Sequence, residues 1–201
     1  RTFTTRFAGH DLDVGGTWFG SSQPFVWSEM MRYGVGFTES AAARAERAVW
    51  MNGEQRVTGD PGIYAGIYEQ AALKFYEPTR AVLPRPYDPL FLADSGGLDR
   101  IDAETAIRRL DLTPVQRDLL LSFCAINGHS FARESSYLDQ LRWFALGNYD
   151  LWNLWDNLSK YRFVGGTKAL LDRIQGDSRA ELRTGTPVAS VAVAGRCRGA
   201  F

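Results

Sequence analysis

The sequence predicts a mixed α/β fold of the α+β kind, with strands and a helix at each end of the chain and a largely helical block carrying a small sheet between them. Three observations predict it. Short Thr-, Phe- and Val-containing runs near the start are punctuated by glycine. From Asp102 to Lys160, cap-forming residues repeatedly precede apolar positions at helical spacing. After Tyr161 the short alternating runs return.

In order, Arg1–Phe7 predicts a strand, Gly9 a turn, and His10–Val14 a second strand ending in Gly15-Gly16-Thr17-Trp18. Pro24 opens a helix to about Tyr33, with Val26, Met30 and Tyr33 on one face and Gly34 placed to stop it. Val35–Thr38 predicts a strand, and Ala41–Arg47 suits either helix or strand. Ala48–Met51 and Gln55–Thr58 flank Asn52-Gly53, a pair that tolerates positive φ at both centres of a hairpin turn. A helix from Pro61 to Tyr76 carries Ile63, Ile67, Ala71 and Phe75 on its apolar face. Four prolines between Pro78 and Leu92 predict an extended connection, continued by Ser95-Gly96-Gly97.

Asp102 then caps a short helix to Leu110, and Thr113-Pro114 starts one to about Asn127. Ser135 or Ser136 caps a helix to Leu146, and Asp150 one to Lys160. Tyr161–Val164 predicts a strand, Gly165-Gly166 a turn and Thr167–Ile174 a helix. Arg179–Thr184 and Val188–Ala194 predict two further short strands.

Composition excludes several functions. Lys plus Arg and Asp plus Glu both number 23, so no excess positive charge exists to track a phosphate backbone, and nucleic acid is not an expected partner. No apolar run approaches the roughly 18 residues that predict a membrane span. Cys124 and Cys197 are too far apart in sequence for a metal motif or a redox pair. Cys124 reads as a small core hydrophobe. His10 and His129 have no nucleophile arrangement around them, and no carboxylate pair stands out. Neither a catalytic residue nor a metal ligand is assigned.

Two glycine pairs and an aromatic cluster carry the functional reading. A strand ending in Gly15-Gly16 lets a flat ligand approach the backbone, with Trp18 beside it; taken alone, a tight turn with a core tryptophan is the commoner outcome. Tyr161–Thr167, a strand, a glycine pair and a helix start, can offer backbone N–H groups to an anion or simply connect two elements. Trp143, Phe144, Tyr149, Trp152 and Trp155 can line an apolar cavity or pack as helical core. His129 sits in a helix-terminal loop within reach of a substrate or as a plain turn residue.

In their order and spacing these segments resemble the flavin-containing amine oxidases of the fungal and bacterial monoamine oxidase type. Arg1-Thr2 resembles the end of that family's Gly-Gly-Arg-Thr element, and Asp13–Trp18 its D-x-G-G-x-W turn. Phe25–Tyr33 is similar to the helix that follows, Leu141–Tyr149 to a helix of the substrate domain, Tyr161–Ile174 to the "Y-x-x-x-G-G" segment, and Thr186-Pro187-Val188 to the strand after it. The resemblance implies FAD as cofactor, contacted by Arg1, Thr2, Gly15, Gly16, Thr17, Trp18 and Val188, with Tyr149, Trp152 and His129 as substrate-pocket candidates.

It implies FAD-contacting segments at 1–40 and 165–201 of the dinucleotide-binding domain, flanking a substrate-binding domain at 41–164. The implied reaction is oxidative deamination of a hydrophobic amine to the imine and aldehyde, with O2 reduced to hydrogen peroxide. An amine and O2 are then the small-molecule partners. A homodimer or companion segments would be the macromolecular ones, and the cytoplasm the expected location. The Gly-x-Gly-x-x-Gly pyrophosphate turn is missing from the sequence, so the chain reads as an internal fragment that is inactive alone. The alternatives are a non-catalytic ligand- or protein-binding module on the same fold, and an amino-acid or polyamine oxidase of the same superfamily.

Overall fold

The computed structural model describes residues 2–92 and 97–190. The chain opens with an antiparallel hairpin, β1 (Thr4–Phe7) and β2 (His10–Asp13), in which Phe7 faces His10 and Thr4 faces Asp13. Its two-residue turn, Ala8-Gly9, has φ of +48° and +81°, the left-handed pair that matches the twist of a hairpin. Helix α1 (Pro24–Arg32) follows, with proline in its first turn and Gly34 beyond its end at φ +61°.

Strand β3 (Phe37–Glu39) starts two residues later than Val35, because Val35 turns inward to a core. Ala41–Arg44 form a 3-10 turn whose cap Ser40 is tied to the Ser159 carbonyl. Strands β4 (Ala48–Asn52) and β5 (Gln55–Gly59) form the expected hairpin, with a shifted turn. Asn52 pairs with Gln55, so Gly53 and Glu54 are central and only Gly53 has positive φ, +62°. This register buries Trp50 and leaves Val49 and Met51 on the outer face; a one-residue slip would invert both.

Helix α2 (Pro61–Phe75) is capped by Asp60, whose Oδ1 accepts the Gly62 N–H at 2.6 Å. Its buried face is Ala65, Tyr68, Ala71, Ala72 and Phe75, while Ile63 is 58% exposed. The expected stripe through Ile63 and Ile67 repeats every four residues. Each such step overshoots a turn by about 40°, so the line that meets the core at Ile67, Ala71 and Phe75 is off it at Ile63. The Pro78–Leu92 connection is not wholly extended: Thr79–Val82 wind one turn, α3, with the Thr79 hydroxyl donating to the Tyr76 carbonyl at 2.6 Å. Pro78 can precede a helix, whereas Pro84 forces Leu83 out of helical geometry and ends it.

The helical block continues as α4 (Ala103–Arg108), α5 (Pro114–Gly128), α6 (Tyr137–Leu146) and α7 (Leu151–Ser159). The side chains of Asp102, Thr113, Ser136 and Asp150 accept backbone N–H groups at their starts, and Thr113 with Gln116 closes a reciprocal capping box. These helices bury one large core containing Tyr68, Phe75, Ile107, Leu120, Cys124, Leu141 and Leu154. Burying a side chain of this size contributes roughly 1.5–3 kcal/mol each. Tyr76 stacks on Phe144 at 4.5 Å, and buried Gln140 bonds Asn127, Ser135 and the Cys124 carbonyl.

Strand β6 (Tyr161–Phe163) pairs antiparallel with β3, returning the chain to its first third. Helix α8 (Thr167–Asp177) then completes a second, smaller core of Phe19, Met30, Val35, Phe163 and Leu170. Arg179–Thr184 form no strand; they are exposed and lack a ladder partner among the described residues, without which alternation alone makes no strand. Of the predicted Val188–Ala194 strand, Val188–Ser190 are exposed and irregular and the remainder lies outside the described residues, as do Arg1 and Cys197. Among the described residues no helix is long and apolar enough to cross a membrane.

Candidate functional site

The turn after β2 is built by two left-handed glycines, Gly15 at φ +88° and Gly16 at +65°. A β-carbon on Gly16 would meet the Thr2 methyl at 2.7 Å, so glycine is needed for space as well as conformation. The Thr17 hydroxyl donates to the Asp13 carbonyl at 3.2 Å, closing the turn on itself. Trp18 is not a core tryptophan: it is 48% exposed. The buried aromatic is its neighbour Phe19, stacked on Phe163 at 4.4 Å.

The second glycine pair, Gly165 at φ +80° and Gly166 at +76°, lies against the first. Asp13, 7% exposed, joins them. Its Oδ1 accepts the Thr4 hydroxyl at 2.5 Å and the Thr167 N–H at 3.0 Å. In return the Thr167 hydroxyl donates to the Gly16 carbonyl at 2.6 Å, and the Lys168 N–H donates to Thr4 Oγ1 at 3.1 Å. The first two N–H groups of α8 therefore serve Asp13 and Thr4, and are not offered to an anion as the strand–Gly-Gly–helix pattern allowed. A β-carbon on Gly166 would lie 2.7 Å from Asp13 Oδ1. Asp13 Oδ2 and Arg162 Nε are buried with no hydrogen-bond partner.

A cavity of about 540 Å³ opens beside this turn, lined by Asp13, Thr17, Trp18, His10, Phe7 and Arg162. Ser40, Ala41 and Ala42 also line it. Ala42 also lines a second cavity, of about 910 Å³, walled by Trp50, Tyr64, Phe123, Trp152 and Trp155. Trp152 and Trp155 meet edge to face at 4.9 Å. Arg47 and Asp118 are its charged residues.

The predicted aromatic cluster is thus divided. Phe144 is core and Trp143 packs against that core, whereas Trp152 and Trp155 wall the larger cavity. Tyr149 faces a different cleft of about 180 Å³, with Glu77 and Phe144. Its hydroxyl donates to the Leu83 carbonyl at 2.7 Å, and the Arg80 guanidinium lies 4.1 Å from its ring centre. His129 ends α5 in left-handed geometry, is exposed, and lines none of these three cavities. Val188 is 78% exposed in irregular chain, and Thr2 is exposed beside Gly16.

Sequence reasoning missed Asp13, Ala42 and the wall formed by Trp50, Tyr64 and Phe123. Asp13 carried a signal, an acid at a strand end immediately ahead of the glycine pair; the other four carried none, because their neighbours in space are distant in sequence.

Known proteins resemble this chain in sequence and in fold. The family described as flavin containing amine oxidoreductase matches residues 1–199. Over 193 residues the chain is 32% identical to a pseudooxynicotine dehydrogenase of Pseudomonas sp, covering 95% of this chain and 39% of that protein. It is 31% identical over 192 residues to a nicotine dehydrogenase of Pseudomonas putida, covering 95% and 40%. The chain therefore spans about two fifths of the length of these relatives. Its fold matches that of wild-type putrescine oxidase bound to putrescine, with a TM-score of 0.66 over 88% of this chain and 40% of the other, at 19% identity. A double mutant of that enzyme matches with a TM-score of 0.67. By its sequence match over nearly its whole length, and with a fold to agree, the chain belongs to the flavin-containing amine oxidoreductases.

Proposed function

We propose that this chain carries one face of an FAD site and one wall of the substrate cavity in an enzyme that oxidatively deaminates a hydrophobic amine. The proposed products are an imine, hydrolysed by water to aldehyde, and hydrogen peroxide from O2. The observation that carries this reading is the shared Ala42 boundary, with the cavity against Trp18 on one side and the aromatic-walled cavity on the other.

The residues present fit a flat, partly polar group. Two left-handed glycines expose backbone, a half-exposed tryptophan just after them lines the cavity with Asp13, and the buried Asp13 Oδ2 is an unpartnered acceptor. Thr2, Gly15, Gly16, Thr17 and Trp18 would hold the flavin, with Arg1 and Val188 added on resemblance alone. Bound there, FAD would supply the two-electron acceptor. The chain's own part is binding and orientation. Trp50, Tyr64, Phe123, Trp152 and Trp155 would bury the carbon skeleton of the amine and exclude water from it. Of the three pocket candidates, Trp152 is the one this arrangement supports. In this reading residues 1–40 and 165–201 contact the flavin and 41–164 form the substrate domain.

A second reading concerns the oxidant. The two curated relatives are named dehydrogenases, of pseudooxynicotine and of nicotine. Their names favour a bulky nitrogen-containing substrate and an electron acceptor other than O2. The aromatic wall suits such a substrate better than a slender diamine.

The test is to mix the purified full protein with aromatic, aliphatic and diamine substrates without air and watch its yellow absorption. Bleaching by a hydrophobic amine, then recovery with peroxide on admitting air, supports the oxidase. Recovery only with an added dye acceptor supports the dehydrogenase. A colourless, folded protein indifferent to added FAD rules out both in favour of a non-catalytic module.

A further inference from the structure

Resting on the flavin reading above, we propose that Asp13 is a positioning residue, whose side chain sets the shape of the Gly15–Trp18 turn by tying it to the start of α8. The turn needs such a device. Two adjacent glycines in the left-handed region have the widest backbone freedom available, and ordering them on binding would weaken affinity. Nothing in the turn's own sequence removes that freedom except the Thr17 hydroxyl on the Asp13 carbonyl.

The tie is a closed circuit. Asp13 Oδ1 holds the Thr167 N–H at 3.0 Å, and the Thr167 hydroxyl returns to the Gly16 carbonyl at 2.6 Å. Thr167 therefore grips the strand residue that leads into the turn, through its side chain, and the second glycine of the turn, through its backbone. Thr4 braces the same oxygen at 2.5 Å and is itself held by the Lys168 N–H at 3.1 Å. Gly166 permits the approach, since a β-carbon there would lie 2.7 Å from Asp13 Oδ1. Asp13, Thr167 and Gly166 are all buried, so the Thr167 N–H bond to Asp13 is shielded from competing water, and those from Thr4 and to Gly16 partly so. The carboxylate acts through the turn of Gly15 and Gly16, which leads into the cavity-lining Thr17 and Trp18; it is not assigned a chemical step.

The experiment compares Asp13→Ala, Asp13→Asn and Thr167→Val in the full protein. It reads FAD affinity by fluorescence quenching, the fine structure of the bound flavin's visible spectrum, and hydrogen exchange at the Thr167 and Lys168 amides. Asp13→Ala should weaken FAD binding about tenfold, the loss of one or two buried bonds, blur the spectrum and expose both amides. Asp13→Asn retains an acceptor at Oδ1 and should stay near wild type in all three. Thr167→Val removes only the bond to Gly16. It should blur the spectrum with the Thr167 amide still protected, and it serves if Asp13→Ala fails to fold. An Asp13→Ala or Thr167→Val protein with wild-type affinity and spectrum overturns the proposal, as does unchanged exchange at Thr167 in Asp13→Ala. A wild-type protein that takes up no flavin overturns the functional reading itself, and this one with it.

Discussion

Gly20 and Asn157 meet backbone to backbone: a β-carbon on Gly20 would lie 2.7 Å from the Asn157 carbonyl oxygen and closer still to its Cα. Asn157 Oδ1 accepts the Ser21 hydroxyl at 3.1 Å and the Ser22 N–H at 3.0 Å. Helix α7, which contributes Trp152 and Trp155 to the aromatic wall, is thereby docked onto the segment just after Trp18. Gly20→Ala should destabilise the protein by about 1–3 kcal/mol, since the obstacle is backbone that cannot rotate away. Urea unfolding with an unchanged midpoint would refute the contact.

Alkaline pH should loosen the large core. Burial pushes the Cys124 thiol from 9.0 up to about 12 and the Tyr137 hydroxyl from 10.0 up to about 12. Both groups are neutral when protonated, and the folded state keeps their protons longer than the unfolded state. Their contribution is complete below about pH 9 and declines as pH rises toward 12, because the unfolded chain releases protons first. Tyr68 and Tyr76, raised for the same cause, act in the same direction. Melting temperature should fall steadily from pH 9 to 11, and less steeply in Cys124→Ala measured against its own value at neutral pH. A rise over that range would contradict the assignment.

Tyr149 should matter through its hydroxyl. Tyr149→Phe removes the bond to the Leu83 carbonyl and should cost about 1 kcal/mol. Asn148 beside it has φ of +57°, so Asn148→Ala should cost about 1–2 kcal/mol for placing alanine in left-handed geometry. Equal stability of both variants with wild type in denaturant titration would show that this corner carries no strain.

Lys168 offers a contrast. Its ammonium pairs with Asp172 at 2.5 Å, but the two side chains are 60% and 56% exposed. Lys168→Ala should change stability by less than about 0.5 kcal/mol, since water screens the pair and the main-chain bond to Thr4 survives. A loss of more than about 1 kcal/mol, beyond the usual range for an exposed pair, would mean that the pair has a structural role.

Helix starts were legible because capping is local. Asp102, Thr113, Ser136 and Asp150 each satisfy an N–H three positions on, within reach of their own side chains. The glycine pairs were legible as turns for the same reason. On α2 only Ile63 was misplaced, because an isolated helix does not reveal how far round its neighbours will cover it; Ile67, Ala71 and Phe75 do lie against the core. The short strand expected at Arg179–Thr184 failed because a strand needs a partner, and alternation names none.

What the amino-acid sequence determined by itself, then, is where elements begin, where they turn, and that Gly15-Gly16 is one of those turns. What only the tertiary structure decided is that β3 meets β6, that Asp13 meets Thr167, and that Trp152 parts company with Tyr149. The physical reason is range. Caps and turns close over a few bonds, whereas Phe19 stacking on Phe163 joins residues far apart in the chain, and that packing carries both glycine turns to one place.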